Sequence, residues 1–198
     1  MLRTINGIRS NWKHFKVSLK QTRPYASAIL ELTETLLGAL IIALFLRQFV
    51  VQSSMVYSGS MKPTLVNRST FQSDRLFVNK LVYHFNMPDR GDVILFDSPH
   101  GDGKQYVKRL IGLPGETVEI RRGLVYINDQ LLVFPGVTIR RDYSNLEKQH
   151  IPDNHFFVLG DNRDNSADSR AWGYVNKRQL IGQAMFIYWP LNRIRWIK

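Results

Sequence analysis

The sequence neighbours of Lys108 could give its amine a pKa suited to proton transfer. If residues 105–111 form a strand, alternation puts Tyr106, Lys108 and Leu110 on one face. Burial beside an aromatic ring and a leucine disfavours the charged amine and lowers its pKa. A neutral lysine amine can act as a general base, whereas a solvated lysine with a pKa of ~10.4 stays protonated at pH 7. The competing interpretation is a strand-edge lysine whose stem lies on apolar neighbours while its amine stays in water.

Two serines flank a glycine at residues 58–60, within the stretch YSGSMKPTL (57–65). Gly59 permits an unusual backbone conformation, so Ser60 could project from a sharp turn with Ser58 beside it. Serine and glycine are also common in ordinary turns. A plain polar turn that ends at Pro63 therefore remains the competing interpretation.

A polar loop, GDNRDNSADSR (160–170), follows the apolar stretch 155–159. Its repeated Asp and Asn residues suggest a calcium loop, but Arg163 occupies the third position and no Glu closes a twelve-residue loop. The simpler interpretation is a surface loop rich in hydrogen bonds between side chains and backbone. Asp168 and Arg170 stand two residues apart and could pair, which would make the loop rigid.

Several other kinds of site are excluded by the residues that the chain lacks. The sequence has no cysteine, which rules out disulfides, thiolate zinc sites and cysteine nucleophiles. Its five histidines form no HExxH pair, and neither a P-loop nor a GxSxG turn occurs. The sequence therefore predicts no metal and leaves the serine and lysine stretches as the main candidates for chemistry.

The elements that must position these residues are short strands. Residues 52–198 alternate apolar runs with turn signals rich in Gly, Pro, Asn and Asp, which predicts an all-β domain of the sandwich or barrel type. One hairpin is expected at residues 124–133, turning at Asn128-Asp129. The other candidate strands are residues 74–80, 92–96, 105–111, 117–120, 155–159 and 182–188.

The N-terminal part of the chain has the pattern of a membrane anchor. Residues 36–46 are an unbroken apolar run, and the segment 26–51 is mostly apolar apart from Glu31, Glu34, Arg47 and Gln48. A spanning helix needs ~20 such residues. Residues 1–30 carry six basic side chains and no acidic one, which predicts a cytoplasmic N-terminus. We predict a basic cytoplasmic segment at 1–28 and an uncleaved signal-anchor helix at 29–51, with an interfacial or core helix as the alternative.

Taken together and in order, these stretches resemble bacterial type I signal peptidases. The resemblance covers most of the chain and is carried by the anchor, SGSMKPTL (58–65), GDVILF (91–96), YVKRLIGLPGE (106–116) and GDNRDNSADSR (160–170). It implies a mainly β protein: a transmembrane helix, then an all-β catalytic domain over 52–198 with a small β-insertion at about 115–154. Tyr57 stands where the family very often has proline, which bears on pocket shape more than on the catalytic pair.

The resemblance also implies a role for individual residues. Ser60 matches the family's nucleophile and Lys108 its general base, forming a Ser-Lys dyad. The Ser60 backbone N–H and the Ser58 hydroxyl match the oxyanion hole. Three further residues match the support for the lysine: Ser166, which would hydrogen-bond its amine, and the ion pair of Asp168 and Arg170.

By the same resemblance, the expected substrates are N-terminal signal peptides of secreted preproteins, cut after small residues at positions −1 and −3. Their pockets would be shallow and apolar, and we predict Met55, Val56 and Met61 as lining residues. No cofactor, metal or nucleic acid is expected as a partner. The expected location is the cell (inner) membrane, next to the lipid bilayer and near the secretion translocon, with the catalytic domain on the extracytoplasmic side.

Three rival functions remain at this point. The first is a membrane-anchored relative that serves as an adaptor and cuts nothing, although Ser60, Lys108 and Ser166 are all present. The second is a self-cleaving regulator of the SOS-repressor type, which would need a DNA-binding domain where this chain has an apolar anchor. The third is a nucleic-acid binder, suggested by the net charge of +11. Much of that excess lies in the N-terminal segment, where membrane topology explains it.

Overall fold

The computed structural model describes residues 24–69 and 71–197, and it divides into two units between Gln48 and Phe49. The described part of the chain begins with helix α1 (Pro24–Phe45), which continues as a π-helical turn over Leu46–Val50. The most apolar 18-residue window within Tyr25–Val50 has a mean hydropathy of 2.1, so by length and composition this stretch could cross a membrane. The helix thus begins earlier than the predicted 29 and ends before Val51. Residues 1–23 of the predicted basic segment lie outside the described residues.

The second unit is mainly β, as the sequence predicts, and its strands form two antiparallel sheets. The larger, eight-stranded sheet has the order β1-β2-β11-β3-β4-β9-β10, and β12 pairs with β11. Its strands are β1 (Val51–Met55), β2 (Arg75–Asn79), β3 (Val93–Asp97), β4 (Gln105–Gly112), β9 (His155–Leu159), β10 (Val175–Asn176), β11 (Leu180–Trp189) and β12 (Arg195–Trp196).

The smaller sheet corresponds to the segment that the sequence assigns to a β-insertion. Its order is β7-β6-β5-β8. The hairpin expected at residues 124–133 is present, because Ile127 pairs with Gln130 around Asn128-Asp129. The strands are β5 (Thr117–Arg121), β6 (Leu124–Ile127), β7 (Gln130–Leu131) and β8 (Leu146–His150).

Two strands of four residues or more were not predicted, for different physical reasons. β1 reads Val-Gln-Ser-Ser-Met and directly follows the apolar helix, so its own pattern is hidden by that run. β8 reads Leu-Glu-Lys-Gln-His and is exposed except at its first residue. It is held by backbone pairing with β5 rather than by apolar burial, and such a strand leaves no alternation to detect.

Strand β4 has two halves with different neighbours. Residues Gln105–Arg109 pair with β3, opposite Val93–Asp97. Pairing with β9 begins only at Arg109 and runs to Gly112. Among the described residues, the second edge of β4 at Gln105–Lys108 therefore has no strand partner.

The core consists of three groups of buried apolar side chains, two of which touch the functional stretches. One lies around Met61, Leu65, Leu76 and Leu95, with Val107 packed against it. A second includes Ile94, Phe96, Leu110 and Phe156, with Tyr106 packed against it. The third belongs to the smaller sheet and its contact with β9. Two short helices, α2 (Val82–Phe85) and α3 (Ser169–Trp172), complete the unit.

Candidate active site

Ser60 lies in the turn that follows β1 and is 5% exposed. Two carboxylates hold the C-terminal end of this turn. The Val66 N–H donates to Asp74 Oδ2 at 2.8 Å, and Thr64 Oγ1 donates to Asp161 Oδ2 at 2.5 Å. These bonds fix the chain just after Pro63, four to six residues beyond the serine.

The Lys108 amine reaches this serine from the middle of β4. Its Nζ lies 2.6 Å from Ser60 Oγ, across 48 residues of sequence, and the lysine is 2% exposed. Its cross-strand partner is Ile94, which belongs to the same buried group as Leu110 and packs with Tyr106. The lysine therefore lies on the apolar face that strand alternation predicts.

Burial has the expected electrostatic effect on this amine. It lowers the pKa of Lys108 from 10.5 to about 8, since the charged form loses solvation. The carboxylates of Asp168 and Asp161 oppose the shift, and the guanidinium of Arg170 reinforces it. Because the pKa is brought close to neutrality, an appreciable fraction of the lysine is a neutral amine at physiological pH.

Two hydrogen-bond donors stand next to the serine oxygen. Ser58 Oγ lies 3.0 Å from Ser60 Oγ, within hydrogen-bond distance. The Ser60 backbone N–H donates to no other residue in the ranges 24–69 and 71–197. Both donors are therefore available to an oxygen that develops negative charge beside Ser60.

The loop after β9 holds the backbone of the serine turn. The Asn162 N–H donates to the Ser60 carbonyl oxygen at 2.9 Å, and Asn162 Nδ2 donates to the Gly59 carbonyl at 3.0 Å. Gly160 is in close contact with the Ser60 carbonyl oxygen, since a Cβ at residue 160 would lie 2.5 Å from it. The sequence alone does not reveal this role of Asn162, because it depends on backbone groups 100 residues away.

Asp168 and Arg170 form the pair that their spacing suggests. Arg170 Nε donates to Asp168 Oδ1 at 2.8 Å, and Arg170 Nη2 donates to Asp168 Oδ2 at 2.9 Å. The Gly160 N–H also donates to Asp168 Oδ2, at 3.0 Å. The pair therefore fixes the start of the loop that contacts Ser60.

Ser166 lies close to the Ser60 turn but does not make the expected bond. Its Oγ would lie 2.3 Å from a Cβ at Gly160, so it packs directly against that glycine. The hydroxyl is buried and makes no hydrogen bond within the described ranges, and none joins it to the Lys108 amine. In this structure Ser60, rather than Ser166, is the hydrogen-bond partner of the lysine.

A buried ion pair behind the dyad was missed in the sequence. Arg109 Nε and Nη2 donate to the two oxygens of Asp161 at 2.8 and 2.7 Å, and both side chains are 1% exposed. Asp161 also accepts from Thr64, so this pair links β4, the loop after β9 and the serine turn. The available signal was the position of Arg109 itself, since a strand interior can hold an arginine only with a paired carboxylate.

A cleft of about 480 Å³ opens beside Ser58 and Ser60. The three predicted pocket residues, Met55, Val56 and Met61, all line it. Val56 and Met61 are 5% and 1% exposed, so they form its floor rather than its rim. The sequence did not indicate the opposite wall, which comes from the loop at Gly103 and the free half of β4: Gly103, Lys104, Gln105, Tyr106 and Val107.

No cluster of three or more His, Asp or Glu side chains suited to a metal ion occurs within residues 24–69 and 71–197. What the site does contain is a hydroxyl, a buried amine with a lowered pKa, two free donors and an adjoining cleft. A hydroxyl activated by a neutral amine can attack a carbonyl carbon, so the arrangement is suited to acyl transfer.

Comparison with known proteins shows one family. The model of the family described as signal peptidase, peptidase S26, matches residues 29–189. A signal peptidase I from Leptolyngbya laminosa is 42% identical over 176 residues, which cover 85% of this chain and 83% of that protein. Signal peptidase I S from Bacillus subtilis is 36% identical over 179 residues, covering 85% of this chain and 93% of that protein.

Among solved structures, a signal peptidase I from Enterococcus faecalis is similar over part of the chain, with 37% sequence identity and a TM-score of 0.43. The match covers 50% of this chain and 97% of the solved one. The sequence matches, by contrast, extend over most of both proteins.

Proposed function

This chain belongs to the signal peptidase family, peptidase S26, and we propose that it removes signal peptides from exported preproteins with a Ser60–Lys108 dyad. Members of this family are serine peptidases, so hydrolysis of a peptide bond is the expected reaction. The observation that carries the assignment of the dyad is the 2.6 Å separation of Lys108 Nζ and Ser60 Oγ in a buried position. Ser60 is the nucleophile in this proposal and Lys108 is its general base.

The first half of the reaction forms an ester. The neutral Lys108 amine accepts the Ser60 hydroxyl proton while Oγ attacks the scissile carbonyl carbon, whose oxygen becomes negatively charged. The tetrahedral intermediate collapses as the C–N bond breaks. The leaving amine, the new N-terminus of the mature protein, takes the proton from the Lys108 ammonium.

The second half hydrolyses that ester with the same lysine. Lys108, neutral again, accepts a proton from water while the water oxygen attacks the acyl carbon. When the second intermediate collapses, Ser60 Oγ leaves and takes the proton back from the lysine. The signal peptide departs with a new C-terminal carboxylate, and the dyad is restored with no net change in its protons.

Stabilisation of the intermediate is assigned to the two donors beside Ser60. The Ser60 backbone N–H and the Ser58 hydroxyl form the proposed oxyanion hole. Their roles are supported by the 3.0 Å distance between Ser58 Oγ and Ser60 Oγ and by the unused backbone donor. Such donors act most strongly where water is excluded, as it is from a serine that is 5% exposed.

Specificity for small residues at −1 and −3 is supported by the cleft. Its floor beside Ser60 is occupied by Val56 and Met61, which leaves shallow apolar space next to the nucleophile. The free backbone edge of Gln105–Val107 can pair with an extended peptide in that cleft. Alternate side chains of such a peptide point to the same face, as residues −1 and −3 would.

Helix α1 is assigned to the membrane, which brings the enzyme to its substrates. A mean hydropathy of 2.1 in the most apolar 18-residue window of this 26-residue stretch supports a transmembrane span. The six basic residues before it support a cytoplasmic N-terminus, with the β-unit on the extracytoplasmic side of the cell membrane. The lipid bilayer and the secretion translocon are the neighbours this topology implies.

Processing of a preprotein by the full chain in neutral detergent tests the proposal. We expect the wild type to release the mature protein after a small-x-small sequence, and Ser60→Ala and Lys108→Ala to release none. Lys148→Ala is the matched control, because this lysine is exposed and pairs only with exposed Asp129. A wild type as inert as the two dyad variants on several preproteins would contradict the proposal and favour the adaptor function.

A further inference from the structure

A second cavity lies away from the dyad, between the smaller sheet and the polar loop after β9. Its volume is about 370 Å³, within the range of small-molecule sites. Most of the residues that line it have apolar side chains, including Leu124, Leu132 and Phe134. The two charged side chains that line it are both arginines, Arg141 and Arg163.

Arg163 is a buried cation that the protein leaves largely unpaired. It is 7% exposed, and its Nε donates to the Gly160 carbonyl at 2.9 Å. In the ranges 24–69 and 71–197, its terminal Nη groups donate to no residue and no carboxylate forms an ion pair with it. Burial and the neighbouring Arg170 lower the pKa of its guanidinium from 12.5 to about 10, and the carboxylates of Asp168, Asp161 and Asp142 oppose this shift without forming an ion pair with Arg163 within the described residues.

Arg109 shows how this fold treats a buried guanidinium that has only a structural role. Arg109 is 1% exposed and donates to both oxygens of Asp161. A buried charge is costly unless it is paired, which explains that arrangement. Arg163 has no such carboxylate, and its free donors line a cavity rather than solid protein.

The guanidinium of Arg163 determines which kind of ligand could pair with it. A guanidinium binds a carboxylate through two parallel hydrogen bonds, and such bonds are strengthened by charge. Arg141 lies at the exposed rim and also has no partner within the described residues, so it can approach the same anion. The apolar wall of Leu124, Leu132 and Phe134 provides burial for a hydrocarbon group attached to it.

We propose that this cavity binds a small carboxylate with an apolar tail, its carboxylate held by Arg163 and Arg141. The tail lies against the apolar wall formed by the smaller sheet and the loop that follows β7. This site is separate from the peptidase dyad and does not depend on the mechanism proposed for it.

Binding of hexanoate to the full chain in neutral detergent tests the site by saturation-transfer NMR. Two matched probes separate its requirements, since acetate keeps the charge without the tail and hexanol keeps the tail without the charge. We expect hexanoate to bind at least about tenfold more tightly than either. Inorganic phosphate should compete no better than acetate, which distinguishes an amphiphile site from a general anion site.

Variants of the lining residues test whether hexanoate binds in this cavity. One of them changes an exposed residue, so that a folding defect does not decide the result. Arg163→Gln should weaken hexanoate binding at least about tenfold. Val133→Trp, a change at the 64% exposed rim, should also weaken it without removing a charge or a buried group. Arg178→Gln, an exposed arginine outside the cavity, is the control and should bind as wild type does.

Three results would overturn the proposal. One is equal binding of hexanol and hexanoate, which would remove the role of the charge. Another is equal binding of acetate and hexanoate, which would remove the role of the tail. The third is wild-type binding by Val133→Trp and by a folded Arg163→Gln, which would put the ligand elsewhere. If Arg163→Gln does not fold, Val133→Trp decides the outcome with Arg141→Gln.

Discussion

The backbone N–H of Asn162 donates to the carbonyl oxygen of Ser60 at 2.9 Å, so the loop after β9 holds the peptide group of the proposed nucleophile. Asn162 also binds the preceding carbonyl, of Gly59, through its side chain. Two bonds to consecutive carbonyls fix the direction of the serine turn. Any change that moves this loop therefore moves Ser60 relative to Lys108.

Gly160→Ala should test that coupling. The new Cβ would meet the Ser60 carbonyl at 2.5 Å and Ser166 Oγ at 2.3 Å, and a backbone carbonyl cannot rotate away as a side chain can. We expect a loss of stability of about 1–3 kcal/mol from overpacking. We also expect at least a ~10²-fold loss of activity from the displaced nucleophile. Unfolding and preprotein cleavage, measured on the same sample, check the two effects.

Gly59→Ala is the control for the stability effect. A Cβ there would contact Lys62 at 3.6 Å, an ordinary van der Waals distance. Its unfolding temperature should therefore change much less than that of Gly160→Ala. Equal unfolding temperatures for the two variants would argue against a tight contact at Gly160.

The dependence of cleavage on pH should report the Lys108 amine. Burial lowers the pKa of this group to about 8, and only the neutral amine, which predominates above this pKa, can accept the Ser60 proton. At pH 7 about one amine in ten is then neutral. We expect kcat/KM to rise about tenfold per pH unit below this pKa and to level off above it.

Replacing the lysine by a cation that cannot lose its proton tests whether Lys108 acts through its charge or as a proton acceptor. Lys108→Arg keeps the positive charge, but a guanidinium stays protonated in proteins. We expect no cleavage at any pH, including the alkaline range where the wild type is most active. A flat wild-type profile from pH 6 to pH 10, or a partly active arginine variant, would count against lysine as the base.

Ser58 should contribute to turnover rather than to substrate binding. Its hydroxyl lies 3.0 Å from Ser60 Oγ, where it can donate to the oxyanion that forms during attack. We expect Ser58→Ala to lower kcat by about 10²- to 10³-fold, with KM changed far less. Ser58→Thr retains the hydroxyl and should recover part of the activity. A rise in KM alone would assign Ser58 to substrate binding instead.

Asp161 should be essential for folding because it neutralises Arg109. Both side chains are 1% exposed, so removal of the carboxylate leaves an uncompensated buried charge. We expect Asp161→Ala to lower the free energy of unfolding by about 3–5 kcal/mol. Denaturant unfolding followed by tryptophan fluorescence measures the change. Glu119→Gln breaks the pair with Arg121, which is 56% exposed, and should leave stability almost unchanged.

Part of the arrangement around Lys108 and Ser60 could be predicted from the sequence. Alternation in residues 105–111 placed Lys108 on an apolar face, because one strand is enough to define its own two faces. The positions of Ser60 and Ser58 followed from the resemblance of an ordered set of short stretches to one family. The mainly β unit followed from turn signals between apolar runs.

What the sequence could not predict depends on contacts between distant segments. Asn162 acts on carbonyls about 100 residues earlier, and backbone groups carry no sequence signal. Strand β8 has an exposed, charged sequence that only its pairing with β5 stabilises. The close contact of Gly160 with Ser166 and with the Ser60 carbonyl likewise joins segments that are distant in sequence.

The divided pairing of β4 has a mechanical consequence for catalysis. From Arg109 onward β4 pairs with a neighbouring strand on both edges, whereas Gln105–Val107 pairs on one edge. Lys108 lies at the boundary between these two parts. A peptide that pairs with the open edge of β4 would extend the two-sided pairing past Lys108 and reduce the thermal motion of this residue. Part of the free energy of substrate binding would then order the Lys108 side chain and would not increase the affinity for the substrate. Substrates too short to reach Gln105 should consequently turn over more slowly without binding proportionately less well.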